Sequence, residues 1–149
     1  MLELVDFLGR KIATTEPVYK ISDEQTLDTD LVVPSGQTKE LFAGTVDIDP
    51  DAQLILDLSI PALEITSTNG GEVTFEIHLD PGAITMTTGT ITIGRINSDR
   101  ALMWPVRVSH HFDQATPGGY QVNVHSLSGG VTCHAGPGYG NTRLTLSAK

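Results

Sequence analysis

Two stretches of two-residue alternation constrain this chain more than anything else in it. From Gln53 to Ile60, Leu54, Leu56, Leu58 and Ile60 alternate with Gln53, Asp57 and Ser59, and only Ile55 breaks the polar side. From Val73 to Asp80, Val73, Phe75, Ile77 and Leu79 alternate with Thr74, Glu76, His78 and Asp80. A period of two puts each apolar set on one face of a pleated strand, which a helix of period 3.6 cannot do. Thr68-Asn69-Gly70-Gly71 between them is turn chemistry, because Asn-Gly and Gly-Gly reach positive φ without steric penalty. Burying each of the eight apolar side chains is worth about 1.5–3 kcal/mol as an upper estimate. The pair is read as the centre of an all-β fold, an antiparallel β-sandwich or jelly roll.

The rest of the chain repeats the pattern in shorter units. Leu31-Val32-Val33, Thr38 to Ile48, Ala83 to Gly94, Ala101 to Phe112, Tyr120 to His125, Val131 to His134 and Arg143 to Lys149 read as strands. Between them stand Pro34-Ser35-Gly36, Asp80-Pro81-Gly82, Gly129-Gly130 and Gly136-Pro137-Gly138-Tyr139-Gly140. Short strands at such even spacing mark a sandwich or jelly roll. Thr88-Gly89 shifts the alternation within its strand, as a bulge or tight turn does. Pro105 cannot donate to a ladder, so its strand is an edge or is broken there. In the Ala101–Phe112 phase, Trp104 falls on the core side with Leu102, Val106, Val108, His110 and Phe112.

Residues 1–16 stand apart from residues 17–149, which read as a single β-sandwich domain. Leu4, Val5, Leu8 and Ile12 fall near helical spacing, and Glu16-Pro17 would end a helix, because a residue before proline avoids the α region. The segment is a short helix packed on its own sandwich, or an arm that lies on a partner through those four side chains.

Composition narrows the function. The chain has 149 residues, enough for one domain with its own core. It contains 1 cysteine, so it holds no internal disulfide. No apolar run is long enough to span a membrane, and the N-terminus does not read as a signal peptide. Residues 1–80 carry 16 acids and 4 bases, and residues 81–149 carry 2 and 5, for a net charge of −9. An acidic total argues against a nucleic-acid partner. The split itself implies either two differently solvated faces or acidic and basic surfaces meeting between subunits.

The candidate chemistry is sparse. His110, His111, His125 and His134, with Cys133, cluster late, and a metal site built from His110, His125 and His134 is the enzymatic alternative. Adjacent residues of one strand point to opposite faces, which separates His110 from His111 and Cys133 from His134. Asp47, Asp49 and Asp51 resemble the opening of an EF-hand loop, but Ala52 and Leu58 occupy the glycine and closing glutamate positions. Asp28/Asp30, Asp57, Glu76 and Asp80 lie in polar loops or on solvent faces, and glycosidase chemistry needs two carboxylates at a set separation. The reading is a chain without catalytic, cofactor or metal residues.

An apolar start (Leu2 to Ile12), an acidic polar lead, the segment TLDTDLVVPSGQT (Thr26 to Thr38) and a closing strand NTRLTLSAK (Asn141 to Lys149) resemble small bacteriophage virion proteins. These are head decoration or cement proteins and, more loosely, tail-fibre domains. The resemblance implies a non-enzymatic jelly-roll homotrimer on the capsid surface, assembled in the host cytoplasm. Its partners would be its own copies and the major capsid protein or another virion protein. The alternative is a carbohydrate- or receptor-binding sandwich at a tail tip, with Tyr120 or Tyr139 as the aromatic platform.

Overall fold

The computed structural model describes residues 4–5, 11–12, 19–49, 52–67, 69–79, 84–87, 91–93, 103–115, 117–136 and 138–149. All regular structure among them is strand. In chain order the strands are β1 (Leu4–Val5), β2 (Lys11–Ile12), β3 (Lys20–Thr26), β4 (Leu31–Val33), β5 (Thr38–Val46), β6 (Ala52–Ile65), β7 (Gly71–Leu79), β8 (Ile84–Thr87) and β9 (Ile91–Ile93). They continue as β10 (Met103–Ala115), β11 (Gly118–Ser128), β12 (Val131–Cys133), β13 (Ala135–Gly136), β14 (Gly140–Asn141) and β15 (Arg143–Ala148).

Pairing collapses most of these into eight rows. β10 lies along one side of β6. β15 and β12 share the other side end to end, at Leu54–Ser59 and Leu63–Ile65. β3 and β4 continue that row's outer flank, pairing β15 and β12 respectively. In the second sheet β11 lies between β5 and β7, while β8 and β9 pair successive parts of β7. Numbering the rows along the chain, one sheet runs first, eighth, third, sixth, and the other runs second, seventh, fourth, fifth. Every ladder is antiparallel, and this order is that of a jelly roll.

The alternation becomes the core. Leu54, Leu56, Leu58, Ile60, Val73, Phe75 and Ile77 are fully buried, and Leu79 is nearly so. β6 and β7 are not a hairpin, however. Each is an interior row of its own sheet, and 66–70 carries the chain across the gap of about 10 Å between stacked sheets. That crossing is packed on glycine. A Cβ on Gly129, whose φ is +86°, would lie 2.4 Å from the Gly70 carbonyl oxygen, and Thr66 Oγ1 donates to the Gly129 carbonyl at 2.9 Å.

The sheets are tied along one flank by Tyr120, which is 2% exposed. Its hydroxyl donates to Asp23 Oδ2 at 2.5 Å and accepts from Gln25 Nε2 at 2.5 Å. Gln25 also donates to the Ala43 carbonyl at 2.8 Å, which joins β3 to β5. Gly44 leaves room for the phenol: a Cβ there would stand 2.8 Å from the hydroxyl oxygen.

Two sequence expectations change. At Leu4, Val5, Lys11 and Ile12 the N-terminal segment is an antiparallel ladder and not a helix, with Leu4 opposite Ile12. A spacing of eight residues serves a hairpin as well as two helical turns, so the pattern alone did not separate them. Leu8 lies outside the described residues. Trp104 is 43% exposed and is not core. Pro105 stands opposite both Pro61 and Ala62, so the register slips between Trp104 and Val106. Two prolines cannot supply ladder donors at that level, and the extra residue lies on β6, so Trp104 stays opposite core-facing Leu63 and is exposed at the leading end of an edge strand. Row order interleaves the acidic N-terminal half with the C-terminal half, so Asp57 meets Arg107 and Glu24 meets Arg143 across neighbouring rows.

Candidate functional site

The line of irregularity at Pro61 and Pro105 continues through the sheet. In the eighth row β12 and β15 are separated by 134–142. In the first row β3 and β4 are separated by 27–30. The backbone bonds Leu27 N–H to Thr142 O (2.9 Å) and His134 N–H to Ala62 O (3.2 Å) stitch this level. The excursion of the eighth row folds into the β13–β14 hairpin, with Ala135 opposite Asn141 and Gly136 opposite Gly140. Gly140 has a φ of +80°, and a Cβ there would reach Pro61 Cβ at 3.1 Å.

This break brings three ionisable side chains together. Cys133 and Leu63 face the core, so their neighbours His134 and Glu64 take the outer face. His134 Nδ1 lies 3.0 Å from Asp30 Oδ2, and Nε2 lies 2.6 Å from Glu64 Oε2. The Ala135 N–H donates to Asp30 Oδ1 at 2.7 Å. The buried Thr142 hydroxyl donates to the His134 carbonyl at 3.0 Å. The His134 side chain is 10% exposed, against 47% for Asp30 and 24% for Glu64. Tyr139, at the hairpin turn, covers the imidazole with ring centroids 4.6 Å apart and an interplanar angle of 33°, and is itself 48% exposed. The Ala135 N–H, and after it His134, hold the Asp30 carboxyl below the usual carboxylate range.

The other histidines go elsewhere. His110 stacks edge-on against Phe112 at 4.5 Å. His111 meets the Tyr19 hydroxyl at 3.2 Å on the outer face, where Lys149 lies over the Tyr19 ring. His125 sits in the other sheet, opposite Thr74. His110, His125 and His134 therefore do not converge, and among the described residues no group of three His, Cys, Asp or Glu side chains is arranged to hold a metal ion. Asp30, Glu64 and His134 meet with the ring between the carboxylates, whereas metal ligands aim at a common point. Cys133 is fully buried, and burial pushes its thiol up to about 12, which makes it a poor nucleophile. Asp47 and Asp49 border a short turn, where Ala52 N–H bonds Asp49 O at 3.1 Å, and Asp51 lies outside the described residues. Tyr120, a sequence candidate for a stacking platform, is core. Tyr139 keeps one ring face toward solvent.

Asp30 and His134 were visible in the sequence as separate candidates, but Glu64 carried no signal. The three come from three rows of the sheet, and only the row order makes them neighbours.

The arrangement defines a class: an antiparallel jelly-roll sandwich that sets Asp30, Glu64 and His134 together on the outer face of one sheet. No family model matches the chain, and no curated protein does. Solved structures do. A chain in the structure of infectious bursal disease virus, Gx strain, matches over 99% of this chain and 40% of its own length, at 16% identity and a TM-score of 0.50. A chain of the VP2 subviral particle of the same virus matches over 99% and 42%, at 16% identity and a TM-score of 0.44. A Bacillus endospore appendage protein, from disulfide-linked pili, matches over 93% and 96%, at 12% identity and a TM-score of 0.38. The chain thus spans about two-fifths of the length of the virus chains. What is shared at these identities is the fold.

Proposed function

We propose that the chain is a non-enzymatic structural protein of a virion, of the decoration or cement type, which binds a capsid shell and stabilises it. The carrying observation is the jelly-roll row order, together with the match of a chain from a virus structure over 99% of this one. Large apolar side chains left on the outside support a gripping role: Ile21, Val32, Trp104, Leu127 and Tyr139 are each at least 40% exposed. The N-terminal segment with Leu4, Val5, Leu8 and Ile12 supplies a second contact to a capsid subunit. Homotrimerisation would raise the effective concentration of each weak contact for the next.

Light scattering on the purified chain should report a mass of three protomers, and the protein should co-sediment with phage shells. Removal of residues 1–16 should abolish co-sedimentation and leave the thermal transition in place. A monomer that sediments with no shell would overturn the proposal.

One observation favours a second reading. Tyr139 offers an open aromatic face beside the Asp30 and Glu64 carboxylates, the pairing that stacks and hydrogen-bonds a sugar ring. Glycan-array binding that disappears in Tyr139→Ala would favour a receptor-binding module over a shell protein.

A further inference from the structure

We propose that the β13–β14 hairpin is a proton-held latch: doubly protonated His134 clamps Asp30 and Glu64 across three rows and fixes Tyr139 on the outer face, and loss of one ring proton lets the hairpin go.

The inference starts from the imidazole inventory. A neutral ring has one N–H and one lone pair, and only the imidazolium donates from both nitrogens. Here both nitrogens face carboxylate oxygens, at 3.0 Å and 2.6 Å. A neutral ring would therefore aim a lone pair at one carboxylate, in a site where the ring is 10% exposed and water screens little. The two carboxylates differ in what else holds them. Asp30 keeps the Ala135 N–H in either state. Among the described residues Glu64 has no other side-chain hydrogen bond, so it keeps the remaining ring N–H, and the neutral ring turns its lone pair toward Asp30.

The consequence passes to the hairpin because little else secures it. Its ladder is two residue pairs long. Among the described residues it rests beyond that on the Tyr139 N–H to Gly136 O bond, the Thr142 hydroxyl on the His134 carbonyl at its base, Gly140 against Pro61, the Ala135–Asp30 bond and the Tyr139 ring over His134. The groups facing His134 are Asp30 from the β3–β4 connection, Glu64 from β6 and the Tyr139 phenol from the hairpin turn. Cys133, next in the chain, faces the core. Asp30 takes up its proton below the ordinary carboxylate range, so its half of the clamp persists into acid. The alkaline limit is the step at which His134 gives up its second proton.

The test is nitrogen-15 NMR of the full chain with labelled histidine, titrated from about pH 5 to about pH 9, the interval in which histidine switches operate. The His134 nitrogens should both be protonated at the acid end and only one at the alkaline end. Over the same midpoint, exchange protection of the Tyr139, Gly140 and Asn141 amides, corrected for intrinsic rate, should fall about ten- to hundred-fold, the equilibrium change expected on losing a charged hydrogen bond. Leu56 and Val122 amides should stay protected throughout. Glu64→Gln should remove the step, because a glutamine amide can donate to the ring or accept from it. A ring with one proton across the whole range overturns the proposal. So does a hairpin whose protection ignores the His134 midpoint, or a step that survives in Glu64→Gln. The wild-type titration decides alone if that variant does not fold.

Discussion

Removing one oxygen atom tests whether the two sheets are tied at their shared flank. Tyr120→Phe keeps a buried ring in place and deletes the hydroxyl that joins β11 to β3. The bond to the Asp23 carboxylate is charge-assisted and is worth about 1.5–3 kcal/mol, and the bond from Gln25 about 0.5–1.5 kcal/mol. Gln25 keeps the Ala43 carbonyl, and Asp23 is only half-buried, so water recovers part of the loss. The expected destabilisation is therefore about 1.5–3 kcal/mol, or a fall in Tm of about 3–12 °C for a chain of this size. Urea unfolding followed by circular dichroism should show a lower midpoint with an unchanged slope. Asp23→Asn should be strongly non-additive with it in a double-mutant cycle. Burial first, and then the hydrogen bond to Asp23, raise the Tyr120 phenol far above the ordinary tyrosine range. Its contribution is thus fully present below that range and lost as pH rises beyond it. A change in stability under about 0.5 kcal/mol, the level of an ordinary surface substitution, would refute the tie.

Other outcomes follow from the same geometry. Gly44→Ala should lower stability by about 1–3 kcal/mol, because its Cβ would meet a phenol ring that has no room to retreat; a neutral result in urea unfolding would argue against that fit. Cys133 should resist thiol reagents in the folded protein and react only on unfolding, since its thiol is buried and pushed up to about 12. Asp30 titrates lower in the folded chain than the ordinary 3.8, so its bonds to Ala135 and His134 stabilise above that value and fade as pH falls through the lowered one. Asp30→Asn should weaken exchange protection of Ala135 at neutral pH and flatten that acid limb. Gly129→Ala should disrupt the crossing at 66–70, with a loss in thermal stability larger than for Gly36→Ala, where φ is also positive but no atom lies within 4 Å of the new Cβ.

The fold was legible because its signal is local. Leu54 to Ile60 and Val73 to Leu79 carry their own evidence of which face is buried, and a pleated strand reads that period without help from neighbours. Glycine and proline told where the chain turns, and Pro105 marked a disturbed edge strand. The errors arose where two structures share one local pattern. Leu4 and Ile12, eight residues apart, suit a helix face and a hairpin pair alike. Trp104 keeps the phase read from the sequence, opposite core-facing Leu63, but stands at the leading end of an edge strand, where it is 43% exposed.

Residue by residue, the chain determined its strands, its inward faces and its turns, because these depend on side-chain period and backbone freedom within a few positions. The tertiary structure alone decided which strands are neighbours. That choice sends β6 and β7 to different sheets, pairs the acidic half of the chain with the other half, and sets Asp30, Glu64 and His134 within hydrogen-bond reach. Contacts between rows far apart in sequence depend on how two apolar faces close on each other, and no single strand encodes its partner.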